Sequence, residues 1–254
     1  MTSPQGKLIL MPNTLDFGVA GDADLQDVLP LGVIRTAARL THWVAENAKT
    51  TRAFLKRVDA IVPLAQPLQA LSIIELPRPA KGARQLAMPD LKPLLQPALQ
   101  GHDIGLISEA GLPAVADPGA ALVQAAHAMK IEVAVLPGPS SLLLALAASG
   151  LNGQSFAFVG YLPIEAAERS QRIRELEALS KRSSQTQLMI ETPYRNEPLL
   201  AALLANLRAD TLLSVSCGLT LPQAWTRTGP VADWKAAPTR MPADIPAVFS
   251  LLAH

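Results

Sequence analysis

Two short segments carry residue types that could hold a ligand. Residues 107–119 read ISEAGLPAVADPG and residues 137–141 read PGPSS. Gly111 and Gly138 let a backbone approach a ligand closely, because no Cβ stands in the way. The neighbouring prolines stiffen that approach. Glu109 offers a carboxylate that accepts from hydroxyls or an amine, and Ser108 a hydroxyl. Ser140 and Ser141 add hydroxyls where a helix begins and unpaired N–H groups point outward. A further carboxylate, Glu46, closes the segment HWVAE. At a strand end it could take a proton from an acceptor hydroxyl or orient that hydroxyl. Tight turns, caps and a pair between Glu46 and Lys49 or Arg52 would use the same residues, so composition alone leaves both readings open.

The elements that must position these groups alternate. An apolar run at Lys7–Met11 predicts a buried first strand followed by a loop at Pro12-Asn13. Leu25–His42 reads as mostly helical, interrupted at Pro30. His42–Glu46 reads as a strand, and Thr50–Val58 as a helix capped by Thr50 or Thr51. Ala60–Arg84 is proline-rich and reads as mixed loop and strand. Asp90–Gln100 reads as a helix that Gly101 stops. Asp103–Ser108 and Ile131–Leu136 read as strands around an Ala-rich helix, with Asp117 as its N-cap and Pro118 at its first position. Such a βαβ unit is parallel and right-handed, which brings both opening segments to one sheet edge. In open α/β sheets that edge is where ligands sit.

The same alternation continues after Gly150. Strands are predicted at Ser155–Val159, Thr186–Glu191, Thr211–Cys217 and Ala247–Leu252. Helices are predicted at Ser141–Ser149, Glu165–Lys181 and Tyr194–Leu207. The fold class is α/β with two domains, 1–136 and 137–254, hinged at Pro-Gly-Pro. The chain has 254 residues, comfortable for two modest domains.

Composition narrows the function classes. A net charge of +1 gives no global field for nucleic acid or membrane, so RNA binding would need a local basic patch. Arg169, Arg172, Arg174, Lys181 and Arg182 could supply one, but Glu165, Glu168, Glu175 and Glu177 are interleaved with them and favour a solvated helix face. A single cysteine, Cys217, excludes an internal disulfide and a cysteine-based zinc site. Cys217 reads as a buried filler, and the four histidines lack ligand spacing, so no metal is expected. Residues 1–13 are too short and polar for a signal peptide. No apolar stretch approaches the ~20 residues needed to span a bilayer. A soluble, cytoplasmic protein is expected. No G-x-G-x-x-G follows the first strand, and Walker and G-x-S-x-G motifs are absent.

ISEAGLPAVADPG resembles the signature of the tetrapyrrole methylase superfamily, in the branch of ribosomal RNA small subunit methyltransferase I. PGPSS at 137–141, GYLP at 160–163, ETPYR at 191–195 and GLT at 218–220 follow in the family's order, and AENAKTTRAFLKRV at 45–58 resembles its Ala-Glu-Asp stretch. The resemblance implies a two-domain α/β fold with S-adenosylmethionine in a cleft between the domains, and a homodimer. It implies a methyltransferase whose acceptor is an RNA ribose hydroxyl. A tetrapyrrole or other small-molecule acceptor, or a non-catalytic S-adenosylmethionine-binding module, are the alternatives. Carried over, the cofactor would be lined by Pro12, the loop residues Ser108, Glu109, Gly111 and Leu112, the pair Ser140 and Ser141, and segment ends at Ile190, Cys217 and Pro246. Glu46 matches the glutamate of Ala-Glu-Asp and is the candidate catalytic group. Asn47 stands where aspartate is usual, and so does Glu109. The usual Gly-Asn-Leu is missing after the first strand. Without a carboxylate beside it, Glu46 fits an orienting role better than that of a free base.

Overall fold

Four consecutive apolar residues, Leu8–Met11, form the first strand, β1. In the computed structural model, which describes residues 5–16, 24–77 and 90–254, the chain divides into two units, Met1–Pro139 and Ser140–His254. The first unit continues with helix α1 (Leu31–Arg39), β2 (His42–Ala45), α2 (Ala48–Asp59), β3 (Ser72–Glu75), the short helix α3 (Gln96–Leu99), β4 (Ile104–Ile107), α4 (Ala120–Ala128) and β5 (Val133–Val135). Its sheet has the order β3-β2-β4-β1-β5, and every neighbouring pair is parallel.

A parallel sheet is covered on both faces, so its strands read as continuous apolar runs. Alternate residues then serve opposite layers. Ile9, Met11, Trp43 and Ile107 pack under α1 and α2 with Val33, Ile34, Phe54 and Leu55. Leu8, Val44, Ile104 and Leu106 pack on the other side with Leu95, Leu122 and Ala126. The helix strand β4–α4–β5 crosses over β1, which lies between its two strands, and the carboxyl ends of β1, β2, β4 and β5 share one edge.

The second unit contains α5 (Ser141–Ser149), β6 (Phe156–Phe158), α6 (Ala166–Ser183), β7 (Thr186–Glu191), α7 (Asn196–Asn206), β8 (Leu212–Cys217), β9 (Trp225–Pro230), α8 (Val231–Ala236) and β10 (Ala247–Leu252). Its sheet has the order β6-β7-β10-β8-β9. Only β6 and β7 pair in parallel; β10 runs antiparallel between β7 and β8. Met189, Val215 and Phe249 face α6, α7 and α8 through Ile173, Leu203 and Trp234. Leu188 and Val248 face α5 through Leu142, Ala145 and Leu146.

Four expectations need correction. The cap of α2 is Asn47, whose Oδ1 accepts from the N–H of Lys49 and of Thr50. The hydroxyls of Thr50 and Thr51 donate back to the Asn47 carbonyl instead. Asp117 does not cap α4: the chain makes a further turn to Gly119, at φ 133°, before the helix starts. Alternation predicts nothing between Cys217 and Ala247, yet β9 and α8 lie there. β9 is a half-exposed edge strand ending in Pro230, and α8 is only six residues long, so neither shows a strong period. Glu177 is not on a solvated face. It is buried and accepts from the Arg208 N–H at 2.8 Å and from the Thr211 hydroxyl. Elsewhere on α6, Arg172 pairs with Glu175 at 3.3 Å. Of Ala60–Arg84, the part to Pro77 holds β3; residues 78–84 lie outside the described residues, as do residues 1–4 and 17–23.

Candidate functional site

The carboxyl edge of the first sheet is organised around Glu109. β4 is the central strand, flanked by β2 and β1, and both neighbours send polar groups to the residue just beyond its end. From the β2 side, Glu46 continues the ladder by donating its N–H to the Ile107 carbonyl at 3.0 Å. Its Oε2 then accepts from the Glu109 N–H at 3.0 Å. Asn47 donates from Nδ2 to Glu109 Oε1 at 2.9 Å. From the β1 side, Asn13 donates from Nδ2 to the carbonyls of Ser108, at 3.1 Å, and Glu109, at 3.0 Å. The Glu109 amide, carbonyl and carboxylate are therefore each held.

Beyond Glu109 the loop is tied to the exit of β1. The Asn13 N–H donates to the Gly111 carbonyl at 2.8 Å, and the Gly111 N–H to the Thr14 carbonyl at 3.2 Å. Gly111 has φ 65°, a left-handed conformation that side chains disfavour. Ser108 is buried and donates to the Ala110 carbonyl. Leu112 is half-buried beside them. Pro12 is buried against the exit of β5: a Cβ on Gly138 would stand 2.2 Å from the Pro12 Cβ. The two opening segments thus meet at one edge through Pro12.

This edge is acidic. Asp117 returns to it and lies within the influence of Glu46 and Glu109. Burial pushes its carboxyl up to about 6; a hydrogen bond with Ser108 opposes the shift, and the charges of Glu46 and Glu109 add to it. Asn13 and Asp117 are the members that sequence reasoning missed. The signal for Asn13 was a buried-strand exit reading Met-Pro-Asn, which spacing alone does not distinguish from a turn.

The sequence model of the tetrapyrrole (corrin/porphyrin) methylases matches residues 33–234 of this chain. The chain belongs to the tetrapyrrole methylase family. Among curated members, ribosomal RNA small subunit methyltransferase I of Halalkalibacterium halodurans is 32% identical over 172 residues, 68% of this chain and 53% of the relative. The protein of the same name from Streptococcus pyogenes is 30% identical over 200 residues, 79% of this chain and 60% of the relative. The chain spans about half the length of the curated relatives it matches. Two solved structures share the fold. Uroporphyrin-III-C-methyltransferase from Thermus thermophilus has a TM-score of 0.52 at 19% identity, covering 97% of this chain and 92% of that one. The methyltransferase CobJ has a TM-score of 0.56 at 17% identity, covering 98% and 94%.

In the second unit, three of the expected positions fall on one sheet edge. Glu191, the residue after Ile190, and Cys217 both stand opposite Ala247, and Pro246 immediately precedes it. The Pro246 carbonyl accepts from the Gly218 N–H at 2.9 Å. Ile190 is half-buried, and its N–H donates to the Gly160 carbonyl at 3.2 Å. Burial, aided by the charge of Asp244, pushes the Cys217 thiol up to about 11, so it is neutral at ordinary pH. The ETPYR segment folds on itself through an ion pair between Glu191 and Arg195 at 2.9 Å. Ser140 is the N-cap residue of α5 with no side-chain bond to the helix, and Ser141 is its first residue.

Proposed function

We propose that the chain is an S-adenosylmethionine-dependent methyltransferase whose acceptor is an RNA ribose hydroxyl. The observation that carries the reading is the braced, left-handed loop at the carboxyl edge of a parallel sheet, in a chain whose curated relatives at 30% identity and above are named for ribosomal RNA. The structural neighbours named for tetrapyrroles are below 20% identical and support the fold rather than the acceptor.

The residues of the first unit suit such a donor. Exposed ribose hydroxyls and an ammonium group call for anionic acceptors, which Glu109 and its neighbours offer. The unsubstituted backbone at Gly111 admits a flat ring or a ribose at short range. We assign donor contacts to Pro12, Ser108, Glu109, Gly111 and Leu112. The resemblance extends the assignment to Ser140, Ser141, Ile190, Cys217 and Pro246 of the second unit. The donor supplies an electrophilic methyl group. The work left to the chain is alignment of donor and acceptor, which can lower a barrier by about 7–11 kcal/mol when the geometry is near attack.

A homodimer and a cytoplasmic location belong to the same proposal. The deciding experiment supplies methyl-labelled donor with total RNA and with a small-metabolite extract in parallel. Label in a ribose of RNA is expected. Label in a tetrapyrrole fraction would replace the acceptor, and donor binding in calorimetry without any transfer would leave a binding module. Sedimentation equilibrium at micromolar concentration tests the dimer.

A further inference from the structure

We propose that Asn13, Glu46 and Asn47 are positioning residues that act together on Glu109, and that the Glu46 carboxylate serves the Glu109 N–H rather than a substrate proton. The inference rests on the donor-binding reading above and adds to it the parts that set the loop.

Three facts carry it. The three side chains reach Glu109 from the exits of the two strands that flank β4, and they take its N–H, its carbonyl and its carboxylate separately, at 3.0, 3.0 and 2.9 Å. A residue held at all three groups has no freedom to rotate, so the loop that follows starts from a fixed point. Next, each bracing side chain is itself oriented. Asn47 uses Oδ1 to cap α2, through Lys49 at 2.9 Å, which leaves Nδ2 as the end that can meet Glu109. Asn13 accepts on Oδ1 from the Thr14 N–H at 2.9 Å, which aims its Nδ2 at the two carbonyls. Finally, the Glu46 oxygen that faces the loop already accepts a backbone proton. A bond from N–H to a carboxylate is stronger than one between neutral groups, and a proton taken from substrate would neutralise the carboxyl and weaken that bond.

Charge sharpens the argument. Glu46 and Glu109 are carboxylates at one edge, and the Asn47 amide stands against one of them as a neutral donor. An aspartate at 47 could cap α2 equally well but could not donate. It would set carboxylate against carboxylate, which costs affinity for any arrangement that needs both in place.

The test measures donor affinity by calorimetry and kcat at saturating donor, with thermal melting as the fold control. Wild type is measured first: if it binds no donor, the functional reading has failed and the brace is not at issue. Glu46→Gln keeps an oxygen that can accept from the Glu109 N–H, so affinity and kcat are expected within about threefold of wild type. Glu46→Ala and Asn13→Ala remove a brace and should weaken donor binding about tenfold or more, with a smaller change in kcat. Asn47→Asp keeps the cap, and so the fold, while losing the donor; it should weaken donor binding by a similar factor. A loss of about 10² in kcat for Glu46→Gln with unchanged donor affinity would make Glu46 the proton acceptor and overturn the proposal. Unchanged affinity in a folded Asn47→Asp protein would overturn it as well.

Discussion

Asn47 and Glu109 are bonded to each other, Nδ2 to Oε1, across 2.9 Å. The resemblance noted in the sequence implies aspartate at both positions. Bonded in this way, the two side chains act as one unit. The longer glutamate reaches the end of β2, and the amide that meets it replaces a repelling carboxylate by a donor. Restoring aspartate at 47 alone should break the match. Asn47→Asp is expected to bind the donor about tenfold more weakly at pH 8. Glu109→Gln costs the donor an anionic contact of its own, but the double variant should lose less than the sum of the two, because the opposing charge is gone. A double-mutant cycle in donor affinity measures the coupling, which is of order 0.5–3 kcal/mol for residues in one network. Additive effects would mean that the two exchanges are independent.

Asp117 gives the same edge a signature in pH. Its folded-state value of about 6 lies above the ordinary 3.8, so between these values the folded chain binds more protons than the unfolded one. The ionised carboxylate is thus unfavourable in the fold above pH 6, and the penalty fades as the pH falls from 6 toward 3.8. Asp117→Asn is expected to stabilise the protein at pH 7–8, with a gain that shrinks progressively below pH 6. Urea unfolding of both proteins at pH 8 and pH 5 decides the matter. An equal difference at the two pH values would show that Asp117 titrates normally.

Cys217 should be unreactive. It is 1% exposed, and its thiol is pushed from 9.0 up to about 11, chiefly by burial. Since the thiolate is the reacting form, the shift alone lowers the reactive fraction by about 100-fold near neutral pH. Native protein is expected to take up iodoacetamide at least about 100-fold more slowly than the chain in denaturant, as followed by intact mass. Comparable rates would mean that the end of β8 opens readily.

How legible all this was in the sequence follows from what each feature depends on. β1 and β4 are continuous apolar runs and were readable, as expected of parallel strands covered on both faces. β7, β8 and β10 were readable from their apolar majority, although each also buries polar residues such as Gln187, Ser214 and Ser250. The loop after Ser108 was readable from Gly111 and its prolines. Its supports were not. Asn13 and Glu109 are 96 positions apart, and their contact depends on β1 lying beside β4, a topological fact that no local pattern encodes. Asn47 was read as a lost charge, since the sequence does not say that its amide both caps α2 and reaches across to the next strand. Asp117 was read as a helix cap because Asp-Pro is a common cap signal, whereas Gly119 moves the helix start two residues on.

Two glycines should respond to the same substitution with opposite signs. Gly111 sits at φ 65°, and a Cβ there would stand 3.3 Å from Leu15 Cδ2 and 3.5 Å from the Pro139 carbonyl oxygen. Gly32 lies on the exposed face of α1 with nothing within 4 Å of an added Cβ. Alanine at 32 relieves the entropic cost of glycine in a helix and should stabilise the protein by roughly 0.5–1 kcal/mol. Alanine at 111 must hold a left-handed backbone, a penalty of roughly 1–2 kcal/mol, or shift the loop away from Asn13 and Thr14. Valine is worse, because its branched Cβ adds crowding against Leu15 and Pro139. Gly32→Ala is expected to leave donor affinity unchanged. Gly111→Val should abolish donor binding in a protein that still melts cooperatively, since the core layers under the sheet do not include Gly111. Calorimetry on the folded variants is the measurement. Wild-type affinity in Gly111→Val would remove this loop from the donor site and leave the acidic edge without a ligand.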